Sequence, residues 1–110
     1  MTSETKTILY QTRRKLIERF GEDIKDVILF GSRTEEEGNY SDTSDYDILI
    51  VLKNIFDWKY KNEIFDTIFE IEYQYELLMD VHVVSEYELK HSLRGAHPLF
   101  QHAISNGIHA

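Results

Sequence analysis

The chain contains no cysteine, which excludes disulfides and thiolate metal sites. It has a single proline, Pro98, and only five glycines, so nothing reads as a rigid or flexible linker. No apolar run approaches the roughly 20 residues that a membrane-spanning helix needs. The N-terminus lacks the apolar stretch of a signal peptide. A cytoplasmic protein with no membrane partner is therefore expected. Internal repeats and low-complexity segments are also missing, and no composition shift marks a boundary, so residues 1–110 are expected to form one domain.

Positive charge is scarce and unevenly placed. The net charge is −8. Residues 1–33 carry seven Lys/Arg against five Asp/Glu, whereas residues 34–110 carry five against fifteen. Such a surface does not suit sequence-independent nucleic-acid binding, which rests on phosphate neutralisation. It suits a basic protein partner, or a small charged substrate held with a metal. Solubility alone accounts for many surface acids. Against these absences stand 42% hydrophobic and 13% aromatic residues, enough for a packed core rather than a disordered chain.

Ile8, Leu9, Leu16, Ile17 and Phe20 recur at helical spacing, predicting a first helix over Ser3 to Phe20 with Gly21 as its stop. Asp26 to Phe30 reads as a strand ended by Gly31. A polar stretch follows from Ser32 to Ser44, whose first half is compatible with a short helix from Arg33 to Glu37. Tyr46 to Leu52 is a continuous apolar strand, the pattern of a strand covered on both faces. Apolar steps of three and four from Tyr60 to Leu78 predict a long helix over about Asp57 to Leu77. Leu78 to Val84 reads as a third strand, and Ser85 to Leu93 is ambiguous. A last helix starts near Pro98, tolerated in a first turn, and stops at Asn106-Gly107. This order predicts an α/β fold, a small mixed sheet of three or four strands flanked by helices. So few strands leave edges to be covered, and self-association is one way of covering them.

The chemistry-bearing residues fall at strand ends. Asp45 and Asp47 stand two apart at the start of the strongest strand, so their carboxylates share a face. Asp80 stands between Met79 and Val81 in an apolar strand, where a charge is costly unless paired or bound to a metal. Oxygen donors of this kind suit a hard cation such as Mg²⁺, one or two ions, with substrate phosphates completing the shell. Phe30-Gly31-Ser32 is a strand that stops at glycine and leads into a turn, offering backbone N–H groups to an anion. Ser32 adds a hydroxyl and Arg33 a fixed positive charge. Asp42 and Ser44 are placed to order the loop before Asp45, and Ser44 also to touch substrate. A metal site and a phosphate cradle together are what transfer from a nucleoside triphosphate requires.

Phe30-Gly31-Ser32, Asp45-Tyr46-Asp47-Ile48 and Met79-Asp80-Val81 together resemble the nucleotidyltransferase superfamily related to DNA polymerase beta, and the whole chain resembles its minimal members. The segment from His97-Pro98-Leu99-Phe100 to Asn106-Gly107-Ile108 is loosely similar to theirs. The resemblance implies ATP as donor, with Gly31 and Ser32 on the β- and γ-phosphates. It implies Asp45 and Asp47 as metal ligands, and Asp80 as a third carboxylate that also helps to deprotonate the acceptor. Where the group often has a second arginine, Arg33 is followed by Thr34-Glu35-Glu36. Minimal nucleotidyltransferases are typically paired with a HEPN-type ribonuclease toxin, so the resemblance implies an antitoxin that moves AMP to a tyrosine of its partner. Two other functions remain open: a non-catalytic module that neutralises a toxin by masking it, and a small-molecule nucleotidyltransferase, though these usually carry an extra domain.

Of the remaining residues, His82 shares the face of Asp80 and is expected as a hydrogen-bonded structural histidine, or as a contact to acceptor or phosphate. His91, His97, His102 and His109 lack paired metal spacing and are expected at the surface. Arg13, Arg14, Lys15 and Arg19 are expected to form a solvated helix face. Tyr10, Tyr40, Trp58 and Tyr60 are expected to pack.

Overall fold

A computed structural model describes residues 2–34 and 45–110, with Ser32 as backbone only. The expectations placed on Glu35, Glu36, Glu37, Tyr40, Asp42 and Ser44 lie outside the described residues. Helix α1 spans Ser3–Phe20. The Thr2 hydroxyl accepts the Thr5 N–H at 3.1 Å and caps its start, and Gly21, at φ +62°, ends it in a backbone conformation that few other residues tolerate. Its buried residues Ile8, Leu9, Thr12 and Leu16 form one stripe, and the Thr12 hydroxyl is satisfied by the Ile8 carbonyl at 2.7 Å. Strand β1 spans Ile24–Phe30, β2 Tyr46–Leu52, β3 Met79–Ser85 and β4 Ile108–His109. Helix α2 spans Trp58–Tyr75, α3 Glu86–His91 and α4 Pro98–Asn106. Among the described residues no helix is long and apolar enough to cross a membrane.

The strands form one mixed sheet in the order β3-β2-β1-β4. β1 runs antiparallel to both β2 and β4, and β2 runs parallel to β3. Period-2 alternation splits the core in two. Val27, Leu29, Ile48, Ile50 and Val83 face α1 and α2, where Ile8, Leu16, Ile64, Ile68 and Ile71 bury against them. Ile28, Phe30, Leu49, Val51 and Val84 face Phe100 and Ala103 of α4. The apolar run in β2 is thus covered on both faces, as its composition demands.

Two details depart from the sequence expectation, the start of β1 and the exposure of two aromatics, and two settle what it left open. β1 starts two residues earlier than the apolar run, because Ile24 pairs with Leu52 across a bulge before Asp26. The ambiguous segment forms α3 through a capping box: Ser85 Oγ accepts from the Glu88 N–H at 3.1 Å and the Glu88 carboxylate accepts from the Ser85 N–H at 3.2 Å. A fourth strand of two residues adds to β1. Trp58 and Tyr10 do not pack: they are 69% and 60% exposed, since each sits on the solvent side of its helix. Tyr60 does pack, 5.3 Å from the Phe20 ring, and its hydroxyl donates to Asp23 at 2.6 Å. Asp23 also accepts from the Asn54 backbone and side-chain amides at 3.1 and 3.0 Å, so one carboxylate ties the turn after α1 to the turn after β2. Burial, then the Asp23 bond and charge, push the Tyr60 phenol well above its usual range.

The outer edge of β3 is capped at two points by side chains. Met79 N–H is taken by the Glu72 carboxylate at 2.9 Å, and the Val83 carbonyl accepts from Arg94 at 2.8 Å. Side-chain capping of this kind blunts an edge that would otherwise pair with another strand.

β4 is held by His109. Its Nδ1 meets the Asp26 carboxylate, and its Nε2 lies 2.9 Å from the Ile104 carbonyl. Both partners are acceptors, so only the doubly protonated ring donates to both. The Asp26 bond raises the His109 pKa above 6.5, burial opposes this, and the Ile104 carbonyl and Asp26 charge add to it. A raised folded-state value gives stability that is complete below 6.5 and is lost as pH rises through that higher value. Thermal melts of wild type and His109→Asn should therefore differ most at about pH 5–6, with the wild type higher, and converge at alkaline pH. A gap that widens with pH would contradict the arrangement.

Candidate active site

The sheet register sets three residues side by side. Phe30 on β1 is opposite Asp47 on β2, and Asp47 is opposite Asp80 on β3. All three lie on the α4 face. Asp45 precedes Asp47 by two residues and shares that face. It is exposed, Asp80 is also exposed, and Asp47 between them is half-buried. The backbone N–H of Tyr46, between Asp45 and Asp47, donates to the Leu78 carbonyl at 3.0 Å, which pins the start of β2 to the approach of β3.

Burial raises the Asp47 carboxyl above the usual carboxylate value, and the charges of Asp80 and Asp45 raise it further, while His82 opposes them. The three acids therefore act on one another, and the central one carries an electrostatic deficit that a cation would relieve. Among the described residues no three His, Asp or Glu side chains are gathered closely enough to hold a metal ion as they stand. The donor set nevertheless fits a hard divalent cation. It is all oxygen, borne on paired strands, and like-charged to the point of shifting its central member.

Gly31 explains why Asp47 is so placed. Its φ of +78° is in the left-handed region, and a Cβ there would fall 2.1 Å from the Asp47 carboxylate oxygen. Glycine thus lets the turn close directly over the aspartate. The turn itself is a 3-10 turn over Gly31–Thr34, closed by the Thr34 hydroxyl donating to the Gly31 carbonyl at 2.7 Å.

Arg33 is buried, and its guanidinium lies 4.5 Å from the centre of the Tyr46 ring. Tyr46 belongs to the core on the α1/α2 face, so this conformation turns Arg33 onto the ring that stands between Asp45 and Asp47 in sequence. The floor on the α4 side is aromatic. His82 Nε2 is 3.6 Å from the Asp80 carboxylate, and its ring stands 6.2 Å from Phe30 and 6.1 Å from Phe100. Arg94 lies 5.1 Å over Phe100 and pairs with Glu88 at 2.8 Å. His97 caps α4, its Nδ1 accepting the Leu99 N–H at 3.1 Å. The sequence alone gives no role to Arg94; Phe30 enters only through the Phe30-Gly31-Ser32 motif, His97 and Phe100 only through a loose similarity, and the spacing of Asp80 and His82 is the further signal pointing to this floor.

Comparison with known proteins agrees with the geometry. No curated protein matches the chain. The family model described as Polymerase beta, Nucleotidyltransferase matches residues 13–108, a span from within α1 to β4 that takes in Gly31, Asp45, Asp47 and Asp80. The mixed four-stranded sheet flanked by helices is the fold expected of that family, and the chain belongs to the polymerase beta-type nucleotidyltransferases.

Proposed function

We propose that this chain is a Mg²⁺-dependent nucleotidyltransferase that moves AMP from ATP to a hydroxyl, a tyrosine of a partner protein, and acts as the antitoxin of a HEPN-type toxin in the cytoplasm. The observation that carries the transfer reading is the Asp47–Asp80 pair on adjacent strands, with Asp45 on the same face and the Gly31 turn closed over it. In the reaction, the acceptor oxygen attacks the α-phosphorus and forms the new P–O bond. The bond to the β-phosphate breaks, pyrophosphate leaves, and the acceptor proton goes to a carboxylate. Asp45, Asp47 and Asp80 would hold the cation, which when bound supplies charge neutralisation of the phosphates. Asp80, the more exposed member on the edge strand, faces the acceptor side and takes the proton. The Gly31-Ser32 backbone lies against the phosphates, with Ser32 and Ser44 hydroxyls as further donors. Arg33 reaches the triphosphate by leaving the Tyr46 ring.

The masking reading draws on one observation, the guanidinium of Arg33 set against the Tyr46 ring. One experiment separates the two. The chain is incubated with α-labelled ATP, Mg²⁺ and the protein encoded beside it. Label on a tyrosine of that protein, absent with Asp45→Asn/Asp47→Asn, is the expected result. Full neutralisation of the partner by the double variant, without label, would establish masking instead.

A further inference from the structure

The second half of α2 shows solvent a surface that the fold does not use. Ile64, Ile68 and Ile71 bury one side of the helix. On the opposite side Phe69 is 66% exposed and Tyr73 is 81% exposed. They stand four residues apart and so form one continuous patch. Leu78, 66% exposed, extends the patch past the helix end, where Tyr73, Leu77 and Leu78 line an open hollow of about 490 Å³. Single exposed apolar residues need no explanation, but a contiguous stripe of large ones marks an interaction site.

Charge specifies the occupant. From Asn62 to Leu89 the chain has no Lys or Arg, and exposed Glu63, Asp66, Glu70 and Glu76 frame the aromatic pair. Arg19 approaches this frame, 3.9 Å from Glu70. A second copy of this chain would bring the same acids against these. A partner with Lys or Arg around an apolar ridge meets both parts of the surface. The stripe lies on the side of α2 turned away from the sheet, and α2 packs on the sheet face opposite the carboxylates. A partner seated there is held at the end of the molecule where Leu78 leads into β3, the strand that bears Asp80.

We infer that the acid-framed stripe of Phe69, Tyr73 and Leu78 is the docking surface for a basic protein partner, the protein that carries the acceptor hydroxyl. This rests on the proposal that the acceptor is a protein. The test uses the full chain and the protein encoded beside it, without ATP, by titration calorimetry. Phe69→Ser/Tyr73→Ser is expected to weaken binding at least ~30-fold, and Asp66→Lys at least ~5-fold. Asp45→Asn/Asp47→Asn should bind like wild type, and raised salt should weaken the wild type. Circular dichroism and melting, with ATP binding in Mn²⁺, verify that the stripe variants keep fold and site. Wild-type affinity in a folded stripe variant, no binding by wild type, or a wild-type dimer lost in the stripe variant would each overturn the docking surface. Binding through the stripe with no label transferred would leave it standing and remove the transfer reading, so the two can fail separately.

Discussion

Asp47→Asn is expected to reduce nucleotidyl transfer by about 1,000-fold or more while leaving the protein as stable as wild type or more stable at neutral pH. In the transfer reading the activity loss follows from removing a carboxylate that would hold the cation: several kcal/mol of transition-state charge stabilisation are at stake, and each ~1.4 kcal/mol is tenfold in rate. The stability effect has a separate cause. Burial and the charges of Asp80 and Asp45 raise the Asp47 pKa in the folded chain, so its ionised form opposes folding. That opposition appears as pH rises through the elevated value and is absent below the ordinary carboxylate range of about 4. The variant should therefore melt at or above the wild type at neutral pH, and the difference should vanish in acid. Adding Mn²⁺ or Mg²⁺ with ATP should raise the melting temperature of wild type and not of the variant. An Asp47→Asn variant that melts well below wild type at neutral pH would show that Asp47 holds the fold rather than the cation.

Gly31→Ala should damage both stability and activity. The left-handed conformation of Gly31 costs a residue with a Cβ about 1–2 kcal/mol, and the added carbon would stand 2.1 Å from the Asp47 oxygen and 3.1 Å from its Cγ. Either the carboxylate swings away or the turn lifts. For a domain of this size ~1 kcal/mol shifts the melting temperature by roughly 4–8 °C, so a drop of about 5–15 °C is expected, with transfer reduced at least ~100-fold. A double-mutant cycle apportions the causes. Gly31→Ala/Asp47→Ala removes the collision and keeps the backbone strain, so it should melt higher than additivity from the two single variants predicts. Strict additivity would mean that the turn does not touch Asp47.

The site was legible in part because its residues obey strand periodicity. Alternation alone placed Asp45 with Asp47 on one face of their strand, and Asp80 with His82 on one face of theirs. What alternation does not contain is register: the pairing of Asp47 with Asp80, and of Phe30 with Asp47, depends on contacts between segments far apart in sequence. Nor does it contain the Gly31 approach, which needs the turn and the side chain in one frame. Arg33, read as a phosphate ligand, has its guanidinium against the Tyr46 ring in the structure, a contact that the sequence does not announce.

The fold followed the same division. Helix α1 and strand β2 were readable residue by residue, the one from periodicity and the Gly21 stop, the other from an unbroken apolar run. Strand β1 was read short because Lys25 separates Ile24 from the run read from Asp26, and β4 has only Ile108 and His109 to announce it. The end of α2 was hidden, since Glu76 takes the left-handed position at φ 53° where glycine or asparagine is the usual marker. The start of α3 was written in Ser85-x-x-Glu88, a capping box that follows directly on a strand.

The row Phe30–Asp47–Asp80 crosses three hydrogen-bonded strands of the sheet rather than sitting on loops beside it. Paired strands open at a cost near that of unfolding the whole molecule, whereas turns and termini open locally at small cost. The Asp47–Asp80 pairing should thus persist until the sheet melts, while Asp45, just outside β2, and the Gly31 turn are free to loosen first. In the transfer reading, a mutation deep in either core then lowers activity chiefly through the fraction of molecules folded, so its effect in a cell would follow the amount of folded chain.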